Sequence, residues 1–288
     1  MSFRGSILKL PRRNAAAREV ALNAAPVIAI SMPKCGTHVL MRLVAALTGK
    51  TPATRTLRTT DVAAASQILD QDSDAQNRSL FLRGHQQYTA EIESLLIERG
   101  IRVLLILRDP RDTVVSHAHW VTTAKHGSAA NRKFYSALPT IEERILVSIC
   151  GRPAGWNEGE VSADEEHSLA YHGVREDIGR RVQRYVGWLD SPAACVVRFE
   201  NLIGPDGGGT KSAQIDEISR AAAHLNIDSS TVDPQQIADQ LFDPSAKTFR
   251  SGRIGGWKEA FDNRHKLVFK SLAGDLLIRL GYEQDFDW

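Results

Sequence analysis

The sequence has few cysteines and no long apolar run, and each absence argues against a class of protein. Its three cysteines, Cys35, Cys150 and Cys195, are odd in number and form no CxxC pair, so we expect neither a disulfide framework nor a zinc site. No stretch reaches the roughly 18 apolar residues that a membrane span requires. We therefore predict a soluble protein in a reducing compartment, with the cytoplasm as its location.

An excess of charge of one sign is also missing. The 36 Lys and Arg residues against 34 Asp and Glu residues leave a formal net charge of +2 at pH 7, too little to indicate general binding to nucleic acid or to a membrane surface. Any anion site must therefore be local. The first residues carry basic side chains but no unbroken apolar stretch, which argues against a secretory signal. We predict an exposed arm over residues 1–25 and a single domain over residues 26–288.

Short apolar runs alternate with segments of helical periodicity along most of the chain. The runs that predict strands are 27–31, 80–82, 103–107 and 195–197, and the segments that predict helices are 39–47, 91–99, 111–123 and 174–189. Alternation of this kind, with strands apolar on both faces, is typical of βαβ units. The sequence therefore predicts an α/β fold, a P-loop-like parallel β-sheet flanked by helices on both faces. Residues 125–135, 151–166 and 204–211 are predicted loops.

The first motif, PKCGTH over residues 33–38, lies between the first predicted strand and its helix. Free backbone amides and the helix dipole attract a phosphate at such a turn, and Lys34 adds a positive charge. Ile28 and Pro33 stand where an ordinary P-loop needs glycine, so this is not a Walker A sequence. Taken alone, the motif is equally consistent with a tight turn that carries a surface lysine.

The second motif, RDPRDTVVS over residues 108–116, directly follows the most apolar predicted strand. Its charged groups are therefore expected at the carboxyl edge of the sheet, where ligands bind in this fold class. Arg108 comes first, where a magnesium-dependent nucleotidase would place a carboxylate, so an anion is favoured over a metal ion. Asp112, in the first turn of the helix, is explained by helix capping and dipole effects.

The third motif, FRSGRIGGWK over residues 249–258, combines glycine with basic side chains. This composition suits a phosphate, although an isolated loop of this kind is more often a solvated turn.

Together and in this order, the three motifs resemble the signature of the PAPS-dependent sulfotransferase family, PKxGTxxL, RDPRDxxxS and RxGxxGxWK. PAPS is 3′-phosphoadenosine 5′-phosphosulfate. The resemblance extends from Ile28 to about Phe261. It implies a sulfotransferase that uses PAPS as sulfuryl donor and requires no metal.

The resemblance also implies a role for each matching residue. The 5′-phosphosulfate would be wrapped by the first motif, with Lys34 neutralising charge on the bridging oxygen. The 3′-phosphate would be held by the second and third motifs, and Phe199 would lie beside the adenine, although an ordinary core phenylalanine is as good an account. The donor-binding residues implied in this way are Lys34, Cys35, Gly36, Thr37, His38, Arg108, Ser116, Phe199, Arg250, Ser251 and Gly252.

The catalytic residues implied by the resemblance are His85 and Lys34. His85 matches the family's catalytic histidine after the second strand, and an imidazole suits proton abstraction near neutral pH. Arg83 stands where many members have lysine, and Val39 where many have tryptophan. His117 and His119 are two residues apart on a predicted helix and cannot share a face as metal ligands, so we predict no metal site.

The acceptor is left open by the sequence, because pocket walls come from variable loops. A small molecule, a glycan and a lipid all remain candidates, and homodimer formation is also open. Two rival interpretations are an ATP- and magnesium-dependent P-loop phosphotransferase, and a nucleotide-binding module without catalysis. The first predicts indifference to a 3′-phosphate on the nucleotide, and the second predicts binding without turnover.

Overall fold

The computed structural model describes residues 24–73, 80–123, 129–152, 175–243 and 252–288. These residues form two compact units. The first comprises residues 24–32, 36–73, 80–107, 187–243 and 252, and the second comprises residues 33–35, 108–123, 129–152, 175–186 and 253–288. The predicted arm over residues 1–25 lies outside the described residues except for Ala24 and Ala25. A single domain over residues 26–288 stays a prediction.

The first unit contains a parallel sheet of five strands. The strands are β1 (Val27–Ser31), β2 (Thr51–Thr56), β3 (Leu80–Gly84), β4 (Arg102–Leu107) and β5 (Ala194–Arg198), in the order β2-β3-β1-β4-β5. All neighbouring pairs are parallel, so all strands end at the same edge. Every residue of β1 is buried, as are the last five residues of β4, which fits a sheet covered on its faces. The predicted α/β fold with a parallel sheet is confirmed.

Strand β2 was not among the predicted strands. It reads TPATRT, contains Pro52 and has one buried residue, so it offers no apolar run for sequence analysis to detect. Its place at the edge of the sheet explains this composition, because an edge strand faces solvent and tolerates a proline.

Helices flank the sheet and build the second unit. Those of the first unit are α1 (Thr37–Thr48), α2 (Val62–Ser73), α3 (Ala90–Glu98), α8 (Phe199–Leu202), α9 (Lys211–His224) and α10 (Pro234–Leu241). Those of the second unit are α4 (Pro110–Thr123), α5 (Ala129–Ala137), α6 (Ile141–Cys150), α7 (Ile178–Val186), α11 (Trp257–Ala260) and α12 (Asn263–Arg279). In the described part of the chain, no helix is both long enough and apolar enough to span a membrane.

Two of the predicted loops contain regular structure. Helix α5 occupies much of the predicted loop 125–135, because Phe134 and Tyr135 are buried against Val121 of α4. The predicted loop 204–211 includes a short 3₁₀ turn, Pro205–Gly207. Most of the predicted loop 151–166 lies outside the described residues.

Candidate functional site

Within the first unit, the first motif contributes the turn that begins helix α1. Gly36 has φ 102° and ψ 34°, a left-handed conformation that favours glycine. A Cβ at this position would lie 2.6 Å from Cδ2 of Phe199, so a larger residue would collide with that ring. No side chain caps α1, and its first turn carries no acidic residue. The helix start therefore combines backbone amides with a positive dipole end, which suits an anion.

His85 lies beside this turn in the first unit. Its Nδ1 is 2.5 Å from the carbonyl oxygen of Ser31 and 3.2 Å from the Ser31 hydroxyl. That hydroxyl is 2.7 Å from the hydroxyl of Thr37. A carbonyl oxygen only accepts hydrogen bonds, so Nδ1 of the neutral imidazole donates and Nε2 carries the lone pair. The ring is thus set in the tautomer in which Nε2 can act as a base.

The backbone around His85 is fixed by its neighbours in sequence. A Cβ on Gly84 would lie 1.9 Å from the carbonyl oxygen of Leu57, so two backbone segments touch at a point where only glycine fits. Gln86 is fully buried, and its side-chain amide accepts from the backbone N–H of Thr59 at 3.0 Å and donates to the Thr59 carbonyl at 2.8 Å. Gln86 was not among the residues predicted from the sequence, and its only signal there is a polar residue directly after Gly84 and His85.

Within the second unit, Lys34 and Cys35 lie against helix α4. Lys34 has a positive φ of 72°, a strained conformation for a residue other than glycine, and its Nζ lies 4.7 Å from the ring centroid of Trp120. Its carbonyl oxygen accepts a hydrogen bond from Arg108 at 3.4 Å. Cys35 is fully buried with Sγ 3.5 Å from the hydroxyl of Thr113. The side chain of Cys35 thus packs inside the unit, which leaves its backbone as the part that can meet a ligand.

Arg108 joins the second motif to the third. Its Nη2 donates to the carbonyl oxygen of Arg253 at 3.2 Å and lies 3.9 Å from a carboxylate oxygen of Asp112. The other contacts of that carboxylate are with the third motif, because Asp112 accepts from the backbone N–H groups of Gly255 at 2.8 Å and Trp257 at 2.9 Å. Burial raises the pKa of Asp112, while the nearby Arg108 charge opposes the shift. Asp112 therefore does more than complete its own helix, a role that sequence analysis missed.

The remaining predicted site residues have the following places. His38 is exposed in the first turn of α1, and Ser116 is half-buried on α4. Phe199 is 4% exposed and begins α8, which supports packing against Gly36 as at least part of its role. Gly252 has φ 61°, and Arg250 and Ser251 lie outside the described residues. The roles of all these residues stay predictions.

Metal-ligating side chains do not cluster in the described ranges. No group of three or more His, Cys, Asp and Glu residues there is arranged to hold a metal ion. His117, one of the two helical histidines, is buried with Nδ1 2.9 Å from the hydroxyl of Ser148.

The sequence model of the sulfotransferase domain matches residues 25–281, most of the chain. The chain belongs to the sulfotransferase family. No curated protein sequence matches it closely enough to count as a relative. The match includes the three motifs from which the resemblance was inferred.

Solved structures show the same fold at low sequence identity. Mouse sulfotransferase SULT7A1, complexed with PAP, has a TM-score of 0.57 and 16% identity, with 92% of this chain and 91% of that chain covered. Retinol dehydratase in complex with androsterone and PAP has a TM-score of 0.52 and 13% identity, with 88% of this chain and 80% of that chain covered. The same enzyme with retinol and PAP has a TM-score of 0.53 and 13% identity, with 88% and 81% covered.

Proposed function

We propose that this sulfotransferase family member transfers a sulfuryl group from PAPS to a hydroxyl or an amine of an acceptor by in-line displacement. The proposal rests on one observation. Helix α1 begins at Gly36 with neither a side-chain cap nor an acidic residue in its first turn, and His85 lies beside this helix start. An anion-binding turn positions a charged donor, and an imidazole with Nε2 unprotonated supplies a base.

The residues of the chain fit such a donor. Gly36 provides a turn with no Cβ, so the backbone amides of the first motif can approach a phosphosulfate group closely. Lys34 and Arg108 supply positive charge, and Arg108 donates a hydrogen bond to the backbone carbonyl oxygen of Lys34. PAP, the nucleotide that remains when PAPS has lost its sulfuryl group, is bound in the neighbouring structures. Its presence there supports PAPS as the donor here.

We assign the two phosphate groups of the donor to different motifs. The 5′-phosphosulfate is bound by Lys34, Cys35, Gly36, Thr37 and His38, and the 3′-phosphate by Arg108, Ser116, Arg250, Ser251 and Gly252. Phe199 lies near the adenine in this proposal. The roles of Ser116, Arg250, Ser251 and Gly252 in this assignment rest on the family resemblance.

The chemistry divides between two side chains. When bound, PAPS supplies the activated sulfuryl group and its phosphate leaving group. His85 takes the proton from the acceptor at Nε2 as the acceptor oxygen or nitrogen bonds to sulfur. Lys34 and the amides of the first motif stabilise negative charge on the bridging oxygen as the sulfur–oxygen bond breaks. His85 later releases the proton to solvent, which restores the neutral base.

The ATP-dependent phosphotransferase is the less favoured function. Strand β4 is followed by Arg108, where that chemistry would require a carboxylate to hold magnesium. A sulfuryl group carries less charge than a terminal phosphate, so we propose that transfer proceeds without a divalent ion.

The acceptor is proposed to be a small molecule. Retinol and androsterone accompany retinol dehydratase in its structures, and both carry hydroxyl groups on apolar frameworks. Glycan and lipid acceptors and a homodimeric state stay open, and a cytoplasmic location stays a prediction from the sequence.

Incubation with radiolabelled PAPS and a panel of phenols, steroids, alcohols, amines and sugars tests the function. We expect transfer of label to at least one class without added magnesium. Calorimetry provides the second arm, because PAP should bind more tightly than 5′-AMP, which lacks the 3′-phosphate. Equal affinity for PAP and 5′-AMP would contradict the proposal, and tight binding of PAP without transfer to any acceptor would favour a nucleotide-binding module.

A further inference from the structure

Arg111 of the second motif is enclosed by groups from the far end of the chain. The side chain is 3% exposed, and its guanidinium lies 3.8 Å from the ring centroid of Trp257 and 4.5 Å from that of Trp288. Its Nη2 donates to the Asp109 carboxylate at 2.8 Å, and its Nη1 pairs with the Glu283 carboxylate. Arg111 is therefore held in place by two aromatic rings and two acids.

The ring of Trp257 connects this enclosure to the third motif. The backbone N–H of Trp257 donates to Asp112, which also binds the N–H of Gly255. Arg108, 3.9 Å from the same carboxylate, donates to the carbonyl oxygen of Arg253 in that segment. A shift of the Trp257 ring would therefore move the backbone groups that orient the Arg108 guanidinium.

Charge distinguishes the roles of the two arginines. Arg111 is paired with two carboxylates, those of Asp109 and Glu283, so an approaching phosphate would meet two negative charges around it. Arg108 binds carbonyl oxygens, and its carboxylate contact with Asp112 is at 3.9 Å. The arrangement suits Arg108 as the anion ligand and Arg111 as its support.

We infer that Trp288 and Glu283 are positioning residues for recognition of the donor's 3′-phosphate. They fix Arg111 and Trp257, which in turn hold residues 253–257 of the third motif against Arg108. The inference rests on the proposed function, in which Arg108 binds that phosphate. Neither residue is expected to touch the donor, so their effect should depend on whether the nucleotide carries a 3′-phosphate.

The test compares the dissociation constants of PAP and 5′-AMP, measured by calorimetry on the full chain, in wild type and in Trp288→Ala. We expect the affinity for PAP to fall roughly five- to tenfold, because the loss of one aromatic face loosens the buried Arg111 guanidinium that supports Arg108. The affinity for 5′-AMP should stay within about twofold, because its binding does not involve the 3′-phosphate. Trp288→Phe, which keeps a smaller aromatic face, should recover part of the lost affinity.

Phe286→Ala is the matched control. Phe286 is another aromatic residue of the same segment, it is 44% exposed, and its ring lies against the position of Gly274. The control should keep the wild-type ratio of the two dissociation constants. Glu283→Gln removes a charge with little change in shape and provides an independent variant, so the inference stays testable if Trp288→Ala does not fold.

The outcomes separate this inference from the proposed function. Wild-type protein that binds PAP and 5′-AMP equally would overturn the proposed function and the inference with it. A second outcome is that wild type binds PAP more tightly than 5′-AMP, and that Trp288→Ala and Glu283→Gln both keep the wild-type ratio of the two dissociation constants. The positioning role is then wrong, while the proposed function stands. An equal loss of affinity for both nucleotides would also refute the inference, because it would indicate general destabilisation.

Discussion

Replacement of His85 by asparagine separates the chemistry of this residue from its structural contacts. The asparagine Nδ2 can occupy the place of the imidazole Nδ1 and donate to the carbonyl oxygen of Ser31, the bond that measures 2.5 Å in the structure. The stability cost should therefore not exceed that of one hydrogen bond, about 0.5–1.5 kcal/mol. An amide cannot accept the proton, so kcat should fall about 10²- to 10⁴-fold, equivalent to about 2.7–5.4 kcal/mol in the activation barrier.

The assay uses the acceptor that the labelled PAPS panel identifies, and it records kcat, the affinity for PAP and the melting temperature. His224→Gln is the control, since His224 is another histidine of the first unit. Its Nε2 donates to the backbone carbonyl oxygen of Ala193 at 3.1 Å, and the glutamine amide can take the place of that nitrogen. A kcat within about tenfold of wild type would refute the base role, since a general base contributes about 10²-fold or more.

Three further changes test other parts of the structure. Gly36→Ala should lower the free energy of unfolding by about 1–2 kcal/mol for its left-handed backbone, and by more for the collision with Phe199. The control is Gly100→Ala, with φ 62° and no atom within 4 Å of its added Cβ. In urea unfolding, this control should show only the backbone part of the loss. Burial lowers the pKa of His224, so the stability it contributes is present above its unfolded value near pH 6.5 and is lost as pH falls through the lower folded value. His224→Gln should therefore flatten the fall in melting temperature on acidification. Asp112→Asn should leave one of two buried N–H groups without an acceptor, which costs about 1–3 kcal/mol and should weaken PAP binding in calorimetry.

Sequence patterns predicted the central strands of the sheet well because these strands consist almost entirely of apolar residues. Strand β4 reads RVLLIL and is buried in all but its first residue, so burial on both faces leaves a clear apolar run. Strand β2 carries the opposite composition because an edge strand needs only one partner and faces solvent. Helix α5 was not predicted from the sequence for a related reason. Its burial comes from a few large side chains such as Tyr135 rather than from a long periodic stripe.

The residues near the motifs that were not predicted from the sequence share one property. Lys34, His85 and Arg108 belong to local motifs whose type and order can be read along the chain. Gln86 acts by binding the backbone of a segment 27 positions away, and Asp112 by binding amides 143 and 145 positions away. Such partners follow from the folded chain, and no local spacing encodes them.

The second motif shows that partners brought together by the fold also distinguish two residues of the same type. Arg108 and Arg111 stand three positions apart in the same nine-residue segment, and residue type alone gives each the same ability to bind a phosphate. What separates them is the position of carboxylates. Asp109 lies next to Arg108 in sequence, yet its oxygens accept from Arg111, and the second acid, Glu283, comes from 172 residues away. The surroundings of Arg111 thus depend in part on a long-range contact. The motif indicates the segment proposed to bind the anion, while the fold determines how closely each arginine within it is paired with carboxylates.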